Sequence, residues 1–362
     1  VGVNIVMLML NKTNTFNADL WNVWGKIFTA FIVVSVTTPL FGPVWSLVLA
    51  FLVAAFQIIM ELNAGDIHQH RIEKLTGIPG VTCTHRMVFF GAIYYPFDLL
   101  LRKIPVCNKP MDASALRAKV GVFAENHIIG FILGILFGVI AGYSVAKTLM
   151  LGVQASTALV LFPMISKLFM QALSPISEAI SDYMNKKFSG RKLFVGIDWP
   201  FMGGASEIWF AIIVAIPFTL LWALILPGNK ILPFAGIINI ALIVPAYLVT
   251  RGNTLRMVIL SIIGVPFFLF VGTQFAPMIT DLGLATKAIT IPAGQLISNS
   301  SIDAPVFTYA FSFLFKFLEG NFIPLVFALW WGCGYFFYSR ELRRESNLAQ
   351  QEAEQQEKAQ QA

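Results

Sequence analysis

The stretch KKFSGRKLFVGIDWPFMGGASE, residues 186–207, decides how this chain is read. It opens on Lys186, Lys187, Arg191 and Lys192, then sets one carboxylate, Asp198, between apolar residues and a Gly/Pro-rich turn. A long apolar segment follows. A basic loop, an acid on broken backbone and then a membrane span form the order of a solute-binding hairpin in a transporter. Irregular backbone at bilayer depth is tolerated only where protein or a water-filled cavity satisfies its polar groups. An ionisable side chain there marks a functional site by default. The plainer reading of Asp198 is the cap of a helix start.

The rest of the composition agrees with a membrane setting. The 362 residues are 57% hydrophobic and 12% charged, with mean hydropathy +0.74. Soluble domains carry about 25% charged residues, so this chain has too little polar surface to cover a soluble globule. It reads as a polytopic all-α membrane protein. The net charge of +6 is not a nucleic-acid signal, because the Lys and Arg residues gather in short loops, as the positive-inside rule expects. Cys83, Cys107 and Cys333 are too few and too widely spaced for a disulfide framework or a metal site. No metal or cofactor motif stands out, and a membrane-embedded enzyme finds no nucleophile motif to rest on.

Outward from the focal stretch, apolar runs mark about ten spans with re-entrant hairpins. Lys26 to Met60 is long enough for two spans, divided by PLFGP at residues 39–43. The mixed stretch Glu61–Lys74 reads as a solvated loop carrying His68 and His70. Leu75–Arg86, LTGIPGVTCTHR, reads as a second hairpin or broken helix, with Thr82, Thr84 and His85 as hydrogen-bonding groups. In FAENHIIGFILGILFGVIAG, Glu125, Asn126 and His127 sit at the mouth of a span. That span carries Gly130, Gly134, Gly138 and Gly142, one smooth face for close packing. Further spans are expected near 149–171, 206–226, 232–250, 257–276 and 322–338. Residues 1–344 form the membrane domain, and the Gln/Glu-rich residues 345–362 read as a frayed or disordered cytoplasmic tail.

With the C-terminus inside, counting back puts the basic loops 102–119, 186–192 and 251–256 on that same side, and 17–25 outside. ADLWN at 18–22 and GNTLR at 252–256 each follow an apolar span at a polar turn and open another. On opposite faces they suggest an inverted repeat. By that spacing, the counterpart of Asp198 falls before residue 1. The expectation is that the front of the first half is missing from the chain, which starts at Val1 inside an apolar run.

NADLWNVW, FAENHIIGFILGILFGVIAGYSV, KLFVGIDWP, LPGNKILPF and TRGNTLR together resemble the galactitol-type enzyme IIC, the membrane component of the bacterial phosphoenolpyruvate-dependent sugar phosphotransferase system. The resemblance runs from about Asn4 to Arg344 and extends in fold to the ascorbate-specific enzyme IIC. It implies a multi-pass inner-membrane homodimer among lipids, with an elevator-like motion. It also implies a sugar alcohol phosphorylated on entry by a separate enzyme IIB, itself loaded by enzyme IIA. The chain then needs no phosphorylated or catalytic residue of its own. Carried onto this sequence, the ascorbate-type binding groups fall near Gly25, Thr29, Thr84, His85 and Asp198, and Gly25 supplies no side chain. The expected substrate site is therefore Thr29, Thr84, His85, Glu125, Asn126, His127 and Asp198. The rival reading is an ion-coupled secondary transporter with Asp198 or Glu125 as the ion site.

Overall fold

The computed structural model describes residues 1–19, 22–109, 121, 125–187, 191–232, 240–297 and 304–361. It is mostly helical. Helix α1 (Gly2–Met9) leads into a short strand β1 (Thr15–Asn17), and α2 (Asn22–Thr76) follows. α2 breaks at Gly42, whose φ of 75° lies outside helical space, inside the PLFGP motif where the division was expected. Two prolines and a left-handed glycine within five residues leave no continuous hydrogen-bond ladder.

The polar stretch from Glu61 to Lys74 is not a loop. It is the last part of α2, and His68 is buried there, with Nδ1 2.8 Å from the Ala64 carbonyl and its ring edge-on to Tyr338. A helix whose charged residues face other helices looks like a loop when only polarity is counted.

Beyond Thr76 the chain turns through Gly77 and Gly80, both at positive φ, into β2 (Val81–Cys83). A 3-10 turn over Arg86–Phe90 and helix α3 (Gly91–Leu101) continue it. Helices α4 (Asn126–Ile140) and α5 (Val145–Lys187) form a hairpin. Its close packing follows the glycine spacing: a Cβ on Gly134 would lie 2.6 Å from the Leu151 carbonyl oxygen, so only glycine lets the backbones meet there. Strand β3 (Phe194–Ile197), a 3-10 turn over Trp199–Gly204 and α6 (Ser206–Ile225) come from the focal stretch.

The remaining helices are α7 (Ile240–Thr250), α8 (Thr254–Ala285), α9 (Pro305–Ser312) and α10 (Ile323–Gln361). They pack on α2 and α3 around a core that includes Phe89, Phe90, Phe268, Phe275 and Phe307. Among the described residues, α2, α6, α8 and the Val145–Leu168 part of α5 are long and apolar enough to cross a membrane. Residues 345–361 continue α10 as a helix instead of fraying. Ala, Gln and Glu are good helix formers, and Glu345 is anchored by Arg71.

The mostly helical architecture agrees with the all-α expectation, with one small addition. β1, β3 and β2 pair in that order as a three-stranded parallel sheet. Strands of three or four residues are too short to show a period-two pattern. The sheet also answers a physical requirement. These segments are non-helical inside a membrane protein, and pairing with each other satisfies their backbone groups.

Candidate functional site

The register sets the site. Asn17 and Thr82 both pair with Gly196, from opposite sides of the central strand. Two residues further along come Asp19, Thr84 and Asp198, at the carboxyl ends of the three strands. All three strands run the same way, so all three chains leave the sheet at one edge and enter helical turns there. In open parallel sheets this edge is where ligands bind, and helix N-termini turned toward it favour electron-rich oxygen atoms.

Each chain starts its helical turn with a capping side chain. Asp19 Oδ1 accepts from Asn22 N at 3.0 Å. His85 Nδ1 accepts from Met87 N at 3.3 Å, which leaves the proton of a neutral ring on Nε2. Asp198 Oδ1 accepts from Trp199 N at 2.8 Å. The capping reading of Asp198 is therefore correct. One polar atom from each of Asp19, His85 and Asp198 lies within 4.8 Å of the other two. His85 Nε2 is 3.9 Å from Asp198 Oδ1. Asp19 and His85 are buried, and the Asp198 side chain is 17% exposed. Thr84 Oγ1 donates to Asn17 Oδ1 at 3.0 Å, and its carbonyl accepts from Asn22 Nδ2 at 2.8 Å.

A chain of buried polar groups supports this cluster. Lys26 Nζ stands 2.6 Å from Glu61 Oε2. Gln57 Nε2 donates to Glu61 Oε1 at 2.8 Å, and Thr29 Oγ1 donates to Gln57 Oε1 at 2.8 Å. Arg86 donates to the Gly25 carbonyl at 2.8 Å and to Thr29 Oγ1 at 3.3 Å. Gly25 is where a side chain was expected. A Cβ there would lie 2.7 Å from Arg86 Nε, so the guanidinium occupies the space that side chain would fill.

A model of the EIIC-GAT family, the sugar-specific permease component of the PTS system, matches residues 1–294. This chain belongs to that family. It is 29% identical over 300 residues to the galactitol-specific EIIC component of the PTS system of Escherichia coli K12, covering 82% of this chain and 64% of that protein. It is 30% identical over 288 residues to a putative permease IIC component of the same strain, covering 78% and 64%. The chain thus spans slightly less than two thirds of the length of these relatives. No solved structure matches it.

Within this EIIC-GAT chain, the residues singled out from sequence fall into three places. Thr84, His85 and Asp198 come together at the strand ends. Thr29 lies in the supporting chain, where Gly25, Gln57 and Arg86 take up its hydroxyl. Glu125, Asn126 and His127 stand at the start of α4, on the α4–α5 hairpin, with His127 exposed. The three-residue gathering does not include them. Asp19, which the repeat argument treated only as a marker, is a full member. Gln57, Glu61, Lys26 and Arg86 were also missed. A helical signal was present: Asn22, Lys26 and Thr29 recur on one face, as do Gln57 and Glu61. A search for polar residues at that spacing inside an apolar run would have found Lys26, Gln57 and Glu61, while Arg86 lies outside it in a 3-10 turn.

Proposed function

We propose that this chain is the sugar-alcohol permease component of a phosphotransferase system, taking a galactitol-like hexitol across the bacterial inner membrane. The observation that carries the reading is the convergence of Asp19, His85 and Asp198 at one edge of a parallel sheet, in a chain of the EIIC-GAT family. A polyol presents neighbouring hydroxyls. Each can donate to a carboxylate and accept from an imidazole N–H or a threonine hydroxyl. Asp198 and Asp19 accept, and His85 Nε2–H and Thr84 orient. Thr29 acts by holding Arg86. Glu125, Asn126 and His127 contribute outer contacts from the α4–α5 hairpin. A solute lacking a hydroxyl leaves a buried polar group unpaired, and selectivity follows.

The same reading includes about ten spans related by an inverted repeat, a homodimer, an elevator-like movement of the site and a cytoplasmic C-terminal tail. A separate enzyme IIB, loaded by enzyme IIA, phosphorylates the sugar alcohol. The test is uptake in vesicles. Uptake of labelled hexitol needs a phosphoryl donor with both partner enzymes and survives an ionophore.

The gathering also favours a second reading. Two carboxylates and an imidazole within 4.8 Å could hold a cation, as in an ion-coupled secondary transporter with Asp198 as the ion site. Ionophore-sensitive uptake of unmodified solute, with no phosphoryl donor, would establish that reading and remove the first.

A further inference from the structure

A cavity of about 270 Å³ opens on the amino-terminal side of the same sheet. Its wall includes Asn11, Lys12, Asn14, Asn63, Asp66 and Arg343. Two features make it a set of donors. First, Lys12 and Arg343 both line it, and among the described residues neither makes an ion pair within 4 Å, though the charge of Arg343 acts on Asp66. Second, the amide orientations are fixed from behind. Arg191 donates to the side-chain oxygens of Asn11 and Asn14, the latter at 3.0 Å, and Tyr335 donates to the Asn63 oxygen at 2.8 Å. An arginine cannot accept, so the oxygens of Asn11 and Asn14 must face Arg191. The NH₂ groups of Asn11, Asn14 and Asn63 remain for another partner. The one acid, Asp66, has its Oδ1 taken by Asn14 N at 3.0 Å and Thr15 Oγ1 at 2.7 Å.

The geometry points to a binding site for a phosphate monoester dianion, the phosphorylated form of the transported polyol. The ligand chemistry follows from the wall: two cations and three amide donors fit a multiply charged group that only accepts hydrogen bonds. The position fits too. Asn14 and Asp19 are five residues apart on one extended segment, about 16 Å. At one end of β1 lies the site proposed for the neutral polyol. At the other end, the cationic cavity attracts its phosphate. Adding a phosphoryl group would thus give the molecule a second place to bind at the far end of the strand. This inference rests on the phosphotransferase reading, but its test does not depend on transport.

The experiment measures binding of a hexitol monophosphate, inorganic phosphate and the unmodified hexitol to the purified full chain in detergent, by calorimetry. The wild type is expected to bind the monophosphate saturably, and Lys12→Gln/Arg343→Gln to weaken it tenfold or more while leaving hexitol affinity unchanged. Lys12→Arg/Arg343→Lys keeps both charges and should retain binding, which controls for folding. Inorganic phosphate competing as well as the ester assigns the cavity to the phosphoryl group alone. A preference for the ester assigns it to the whole product. Equal monophosphate affinity in wild type and the charge-neutralised variant, or no monophosphate binding by a wild type that binds hexitol, overturns the proposal. Loss of hexitol binding by the wild type would instead strike the functional reading.

Discussion

Two charged clusters in this protein are built on opposite principles. Around Glu341, every carboxylate meets arginines at close range. Arg102 reaches Glu341 at 2.8 and 3.0 Å, Arg251 at 2.9 Å and Arg71 at 3.3 Å, with the Tyr95 hydroxyl at 3.1 Å. Arg71 and Arg102, with Arg256, donate to the carbonyls of Leu248, Val249 and Thr250, the last turn of α7. Opposite charges there tie α2, α3, α7 and α10 together. At the strand ends, two carboxylates and one imidazole gather instead, and the histidine–carboxylate separation is 3.9 Å. The Glu341 cluster joins helices far apart in the chain, whereas the strand-end cluster sits where three segments leave one sheet, the place proposed for the solute.

The largest expected effect tests the first half of that contrast. Glu341→Gln takes away the negative charge that three guanidiniums share, leaving only a neutral acceptor, and breaking a part-buried pair costs about 3 kcal/mol. Thermal unfolding in detergent should fall clearly. An unchanged melting temperature would mean the hub is ornamental.

Asp198→Asn tests the other half. It removes a charged acceptor worth about 1.5–3 kcal/mol, so hexitol affinity should drop about tenfold to hundredfold by calorimetry. Melting should change little, because an asparagine oxygen can still cap Trp199 N. Wild-type affinity in this variant would sink the site.

Gly25→Ala probes the support beneath it. In a helix this change normally stabilises by about 1 kcal/mol. Here the new Cβ meets Arg86, and the strain should reverse the sign, costing about 1–3 kcal/mol. A more stable variant with unchanged hexitol binding would show that Arg86 can move without consequence.

Acid titration separates the clusters further. Burial alone pushes the Glu341 carboxyl up, but its bond from Arg102 and the charges of Arg102, Arg251 and Arg71 outweigh this and hold it down to about 2, against an ordinary 4.5. A carboxyl depressed by folding stabilises the fold fully above its unfolded value. Melting temperature should therefore hold above about pH 4.5 and fall as pH drops toward 2. In Glu341→Gln that part of the dependence should vanish. The smallest effects are expected on the α4–α5 hairpin, where Glu125→Gln and His127→Ala should change hexitol affinity by a few-fold at most, or about 0.5–1 kcal/mol.

Two of the three residues gathered at the strand ends were singled out in the sequence. Asp198 and His85 stood out because a lone ionisable group beside Gly/Pro-broken backbone is costly in a membrane chain unless it has a use. Asp19 did not stand out, since NADLWN reads as an ordinary polar turn. Glu61 and His68 were misread, because a buried charged helix face and a solvated loop have the same composition.

Sequence alone determined that the chain lives in a membrane, where PLFGP divides the first long apolar run and which glycines let α4 meet α5. Each of these follows from hydrophobicity, proline or side-chain size acting over one or a few turns of local chain. Tertiary structure decided that residues 15–17, 81–83 and 194–197 pair as one parallel sheet, and hence that Asp19, His85 and Asp198 share an edge. Pairing between strands separated by some 114 to 179 residues is set by backbone hydrogen bonds that must be satisfied out of water, and strands this short carry no pattern of their own to announce their partners.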